Sequence, residues 1–356
     1  MPEAFPRLTV AVGAPSPGRA LYVDEQGTIY ASRGYRVFRS EDRGASWTPD
    51  GTIPEAGWKR LASSSRLGSR LMRRQILALT VLADGARIAV GREGIYRAGP
   101  ASDRFELTFR VVRGSRPLNL AVDDQGNVLF GEYGELGGEE VKIYVSSDGG
   151  RTFQAGFAFP RGAIRHVHNV IPDGDQTWVL CGDSDEQAGI AALSGGFRNL
   201  DWLRRGDQSA RAVGLLVSAE ALTYGTDSDR ERNFIVRLEK ESGRLTRLLE
   251  VEGSSLYATS FGALQLIATT VEPNPRCPSP IASLYGSLDG ERWERLRSFR
   301  KDAWHPTLFQ FGTIVLPASR CALPHGAFSG QALQGFDDRM ATLTLTDVPE
   351  RRSGEP

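Results

Sequence analysis

The chain has no apolar run near the ~18 residues of a membrane helix, and no basic stretch leads into an apolar one in its N-terminal MPEAFPRLTVAVGAPSPGRA. The first absence excludes a helical span. The second gives no sign of a secretory leader, so a cytoplasmic location is the expectation. Cysteine is scarce: Cys181, Cys277 and Cys321 are odd in number and lack CxxC spacing, which excludes a disulfide framework and a thiolate zinc site and leaves free thiols. Net charge is absent, with 43 basic and 43 acidic residues, so neither nucleic acid nor an anionic membrane is an expected partner. Lysine is rare, four against 39 arginines, which favours planar bidentate contacts. No long apolar pattern of period 3.6 is present, so a helical architecture is excluded as well.

What is abundant is glycine, 40 residues, against a hydrophobic share of 40% that suits a soluble, core-forming chain. Short β-patterned runs alternate with Gly-containing turns from end to end. Ala20–Val23 leads through Asp24-Glu25-Gln26-Gly27 to Thr28-Ile29-Tyr30, and Leu120-Ala121-Val122 leads through Asp123-Asp124-Gln125-Gly126 to Val128-Leu129-Phe130. Glycine in these turns supplies the positive φ of a two-residue hairpin. Turn positions near 27, 85, 126, 174, 220, 262 and 312 recur about every 47 residues, the period of a four-stranded propeller blade. The expectation is an all-β, seven-bladed β-propeller, six blades being the alternative, built as one domain over 1–356. Residues 53–73 are basic, lengthen the first interval and read as an insertion with a short helix.

A second motif keeps the same register. Ser40-Glu41-Asp42-Arg43-Gly44-Ala45-Ser46-Trp47 and Ser146-Ser147-Asp148-Gly149-Gly150-Arg151-Thr152-Phe153 fit S-x-D-x-G-x-[ST]-[WF], and Ser287-Leu288-Asp289-Gly290-Glu291-Arg292-Trp293 is a copy one residue short. Asp and Ser at these positions bond turn amides, Gly takes a left-handed conformation, and the aromatic plugs between the strands of the hairpin. On these boxes the chain resembles the BNR/Asp-box, sialidase-like propeller superfamily over nearly its full length, and it is similar to stand-alone BNR-repeat proteins labelled glycosyl hydrolases. The resemblance implies the fold and, by analogy, a carbohydrate-directed role. Sialidase activity does not follow, because the N-terminal part lacks a FRIP-like arginine stretch and Tyr133 beside Glu132 is not the family's Tyr–Glu arrangement.

In a propeller, equivalent strand ends converge on one face. The segments after the second strand of each unit are polar: Gly131-Glu132-Tyr133, Gly182-Asp183-Ser184-Asp185, Gly225-Thr226-Asp227-Ser228-Asp229, Val271-Glu272, and Ser329-Gly330-Gln331. Glycine before the acid suggests a sharp backbone turn. Arg165-His166-Val167-His168 places both imidazoles on one strand face. The expected reading is a glycoside hydrolase using paired carboxylates, with a polysaccharide lyase as a variant. Its catalytic candidates are Glu132, Asp183, Asp227, Glu272, His166 and Tyr133; Arg165, His168, Asp185, Asp229 and Gln331 would bind substrate. The substrate would be an oligosaccharide or glycoconjugate, an acidic one suiting Arg165. No cofactor is expected; the set able to hold a metal, should the three converge, is His166, His168 and Asp183. The alternative is a non-catalytic glycan- or protein-binding propeller.

Overall fold

The computed structural model describes residues 8–11, 16–55, 57, 66–136 and 138–345. Strand β1 (Leu8–Ala11) precedes β2–β5 (Arg19–Val23, Ile29–Arg33, Arg36–Ser40, Thr48–Thr52), and a short helix α1 (Arg66–Met72) follows. Next come β6–β9 (Leu79–Val81, Arg87–Gly91, Gly94–Ala98, Glu106–Arg110) and β10–β13 (Ala121–Val122, Val128–Gly131, Val141–Ser146, Gln154–Phe159). Strands β14–β17 (His166–Asp173, Gln176–Gly182, Gly189–Ser194, Asn199–Arg205) lead through a 3-10 turn (Gln208–Ala210) to β18–β21 (Leu216–Val217, Ala221–Gly225, Asn233–Glu239, Leu245–Val251). The chain ends with β22–β25 (Ser254–Phe261, Leu264–Val271, Ile281–Ser287, Glu294–Arg300), α2 (Pro306–Phe309), β26 (Gly312–Val315), β27 (Ala318–Ser319), β28 (His325–Gln331) and β29 (Met340–Leu345).

Each set of four consecutive strands is an antiparallel meander. The sheets follow one another around a ring: β2 packs against β6 of the next sheet and against β28, β11 against β14, and β19 against β22. The ring is sealed where β1 pairs with β29, joining the two ends of the chain. This is an all-β, propeller-like architecture. Strands β23 and β26 are also hydrogen-bonded at Thr270–Thr313 and Val271–Gly312, which fuses β22–β25 with β26, β28, β29 and β1 into one eight-stranded sheet.

The core lies between sheets. Ile88, Val90 and Ile95 pack on Leu120, Val128 and Phe130, and Trp178, Leu180 and Ile190 pack on Leu222, Tyr224 and Val236. Middle strands are covered on both faces, which is why β7 (Arg87–Gly91) and β19 (Ala221–Gly225) are buried at every position. The outermost strand of a sheet is an exposed edge, and β25 guards it with Glu294, Arg295, Arg297 and Arg300. A register shift recurs between third and fourth strands at Val37/Phe38, Ile95/Tyr96, Ile143/Tyr144, Ile190/Ala191, Ile235/Val236 and Leu284/Tyr285. A bulge raises local twist, and its recurrence marks six sheets as copies of one unit.

The Ser-x-Asp hairpins join third to fourth strands and are built as their chemistry requires. Asp148 Oδ1 accepts from Ser146 Oγ (2.7 Å), Arg151 N and Thr152 N (both 2.9 Å), and Gly150 N donates to Ser146 Oγ (2.8 Å). Asp42 repeats this with Ser40 and Ser46, and Asp289 with Ser287, Glu291 and Arg292. Gly44 and Gly150 have φ of 89° and 80°. The aromatic does more than plug its hairpin: Phe153 reaches Phe109 of the preceding sheet, and Trp293 joins Leu216 and Ile235 of the sheet before its own. Asp148→Ala is expected to cost about 1–2 kcal/mol in urea unfolding at neutral pH, since it strips several local hydrogen bonds at once. Although burial works the other way, those bonds hold the Asp148 carboxyl below its ordinary range. Its contribution is therefore present at neutral pH and fades as pH falls through that lowered value.

Two expectations about the chain path need correction. Two-residue turns occur at Gly174-Asp175 and Gly262-Ala263, whereas Asp24–Thr28 and Asp123–Asn127 are five-residue loops closed by the Asp side chains. Gly312 is not a turn but the first residue of the inner strand β26. In the inserted stretch 53–73, residues 56 and 58–65 lie outside the described residues; the rest includes α1, whose Arg70 bonds Phe309 O, Asp302 and Asp337 across the ring.

Candidate active face

First strands and the turns after second strands open on the same end of the ring, opposite the Ser-x-Asp hairpins. Here β14, β15 and the segments before β18 and after β19 and β23 bring together His166, His168, Asp183, Arg211, Asp227 and Glu272. Asp183 is the hub. Its Oδ2 accepts from Arg165 Nη1 at 2.7 Å, and its Oδ1 faces His168 Nε2 at 3.2 Å, Arg211 Nη2 at 3.3 Å and His166 Nε2 at 3.5 Å. Arg211 is the second hub: besides Asp183 it reaches Asp227 Oδ2 through Nε at 3.2 Å and Asp229 Oδ1 through Nη1 at 2.8 Å.

Asp227 is buried, 4% exposed, and its Oδ1 has no hydrogen-bond partner. Burial, then Glu272, push its carboxyl well above the ordinary range, against the pull of Arg211. Burial also raises Glu272, opposed by a hydrogen bond from Ser254. The Tyr133 ring lies 4.4 Å from that of His166, and burial, then the charges of Asp183, Asp227 and Glu272, push its phenol up to about 12. A proton-holding carboxyl pair on one face with a phenol and a fixed guanidinium is equipped for general acid–base chemistry.

The glycines before these acids serve proximity rather than turning. None of Gly131, Gly182 and Gly225 has a positive φ, yet a Cβ on Gly182 would lie 2.3 Å from His168 Cε1, and one on Gly225 2.4 Å from Ser255 Cβ. Only a residue without a side chain lets the His168 ring of the paired strand β14, or the inner strand β22 of the next sheet at Ser255, lie this close.

Of the expected site residues, the structure gathers Tyr133, Arg165, His166, His168, Asp183, Asp227, Asp229 and Glu272. It does not gather Glu132, whose oxygens are taken by a bidentate Arg113, by Lys142 N at 2.8 Å and by Tyr144 at 3.4 Å. Asp185 is exposed and accepts from Gln208 Nε2 at 2.7 Å. Gln331 accepts from Arg19 Nη1 at 2.7 Å. Arg165 is not free for a substrate acid, since Glu135 and Asp183 both hold it. Cys181 and Cys321 are buried free thiols as expected, but Cys277 is half-buried.

Sequence reasoning missed Arg211, which directly precedes Ala212, bridged to Thr226 shortly ahead of β18, much as Arg165 directly precedes β14. It also missed Arg19 and Arg116, which form no ion pair among the described residues. Arg19 donates to Gln331 and Ile76 O, and Arg116 to Gln75 O. Burial, with repulsion from Arg19, Arg73 and Arg92, pushes Arg116 down to about 10. A cleft of about 730 Å³ lies elsewhere, around Arg33, Tyr35, Ile53 and Glu55, with Glu55 and Asp103 as the acids of its lining.

No family model and no curated protein matches the sequence. Solved structures share the fold at low identity. A chain in the structure of the mitotic checkpoint complex superposes with a TM-score of 0.55 at 10% identity, covering 96% of this chain and 95% of that one. The extracellular domain of a hybrid two-component system from B. thetaiotaomicron gives 0.55 at 11% identity, covering 96% of this chain and 40% of that one. An ancestral GH74 enzyme gives 0.53 at 14% identity, covering 92% and 45%. This chain thus spans less than half the length of the latter two. These likenesses show the propeller fold and nothing finer.

Proposed function

We propose that the chain is a seven-bladed propeller of the Asp-box type that hydrolyses a glycosidic bond at the face just described. The blade count follows from reading β26, β28, β29 and β1 as a seventh four-stranded unit, closed by the N-terminal strand and bridged to its neighbour through β23. Support for the box type comes from the three hairpins with equivalent Asp and Ser bonding.

The observation that carries the enzymatic reading is the Asp227–Glu272 pair, two raised carboxyls of which one keeps an unpartnered oxygen. A purely adhesive face has no use for a buried acid left unpaired. In glycoside hydrolysis one carboxyl protonates the leaving oxygen while the other, ionised, activates water or attacks the anomeric carbon. Arg211 holds Asp227 in place through Nε, and Arg116 carries a charge that no acid neutralises among the described residues, which suits an acidic sugar. The ancestral GH74 enzyme with this fold is in keeping with such a role.

The test is turnover of a panel of neutral and uronate-containing oligosaccharides by purified protein, products resolved by mass spectrometry. Hydrolysis adds one water per bond cleaved. Unsaturated products without that gain would assign a lyase, and retention of a glycan without cleavage would assign a binding protein; either overturns the hydrolase reading.

A further inference from the structure

The two histidines pose a problem of hydrogen count. His166 Nδ1 lies 3.1 Å from Gly134 O, and His168 Nδ1 lies 2.9 Å from Ala212 O. A carbonyl only accepts, so each Nδ1 must carry the ring's proton. In a neutral imidazole that leaves Nε2 a bare lone pair, and both Nε2 atoms point at the same carboxylate oxygen, Asp183 Oδ1. His166 Nε2 is buried and has no hydrogen-bond partner. Three electron-rich atoms, all within 4.8 Å of one another, face a common point. Arg211 relieves the carboxylate but not the imidazoles, since its side-chain nitrogens face Asp183, Asp227 and Asp229 and bring no hydrogen to either Nε2.

We propose that His166, His168 and Asp183 bind one divalent first-row transition ion, with zinc the best match to two imidazoles and a carboxylate. The separations of 3.2 Å and 3.5 Å from Asp183 Oδ1 to the imidazole nitrogens suit neighbouring ligands about 2 Å from a common tetrahedral centre. Both rings are oriented from behind by Nδ1–H bonds to carbonyls, the usual support of a metal-ligating histidine. Asp183 Oδ2 stays with Arg165 while Oδ1 turns to the ion. Gly182 leaves the space that His168 needs. Three protein ligands leave a position for water. The site stands whether or not the chain cleaves glycans.

The experiment is metal titration of the full chain after dialysis against dipicolinate. Co2+ is followed by its visible absorption and Zn2+ by calorimetry. One ion per chain is expected, with the absorption of a four- or five-coordinate cobalt centre. His166→Gln and His168→Gln should each weaken binding by about 100-fold or more, whereas Glu231→Gln should leave it unchanged. A readout that needs no variant is the melting temperature of the unsubstituted protein, which should climb with Zn2+ concentration. The absence of stoichiometric binding, an unmoved melting temperature, or full affinity in a folded His166→Gln protein overturns the site. Asp227→Asn should retain the ion even where it removes turnover, so the two proposals fail separately.

Discussion

Asp227→Asn is expected to lower glycan turnover by about 10²–10⁴-fold, the usual worth of a positioned acid or base, and at the same time to raise the melting temperature at neutral pH. Both effects come from the same burial. Asp227 has its carboxyl pushed well above the ordinary range, so the folded protein favours the proton at a pH where the unfolded chain has shed it. A raised folded pKa contributes stability that is complete below the unfolded value of about 4 and is lost as pH climbs through the folded one. Asparagine carries no such dependence. The variant should therefore match the parent in acid and exceed it progressively toward neutral pH, as read by thermal melts in a pH series. Glu272→Gln should act in the same direction, and the double variant should gain less than the sum, because the Glu272 charge is itself one cause of the raised Asp227 carboxyl. A parent whose stability is flat across the series, or a folded Asp227→Asn protein with undiminished turnover, contradicts the assignment.

Arg211→Met is expected to cost about 3–5 kcal/mol in urea unfolding at neutral pH, the range for removing one partner of a buried ionic network. Arg211 is 8% exposed and touches three carboxylates from two segments. Burial alone would weaken its charge, but Asp227, Asp183 and Asp229 more than restore it. Without it these acids repel one another in a poorly solvated cleft. Lysine should recover only part of the loss, since a point charge cannot reach Asp183, Asp227 and Asp229 through separate nitrogens as Nη2, Nε and Nη1 do. A loss no larger than the ~0.5 kcal/mol of an ordinary surface substitution would show that the loops are held by packing alone.

The fold was legible in the chain wherever its causes are local. Runs such as Leu79–Val81 and Arg87–Gly91 declare strands by their own composition, and the hairpin around Asp148 closes within eight residues through bonds its residues make to each other. Glu132 shows where such reading stops. It follows a second strand just as Asp183 does, yet it faces Arg113 and Tyr144, while the adjacent Tyr133 faces His166. Side chains alternate along extended backbone, so an offset of one residue sends an acid to the other face. The glycines ahead of the acids were noticed but misread, because the close approach of a neighbouring strand leaves no trace in local sequence.

By itself the sequence determined a repeating sheet unit with its turn chemistry, since alternation and short-range hydrogen bonding are properties of neighbouring residues. Only the tertiary structure decided that Arg211 would stand among Asp183, Asp227 and Asp229, and that two imidazoles would meet one carboxylate. Both imidazoles and Asp183 come from one sheet, and Arg211, Asp227 and Asp229 from the sheet that follows it. Their distances are set by how adjacent sheets pack around the ring, a quantity that depends on every interface at once and is written in no single segment.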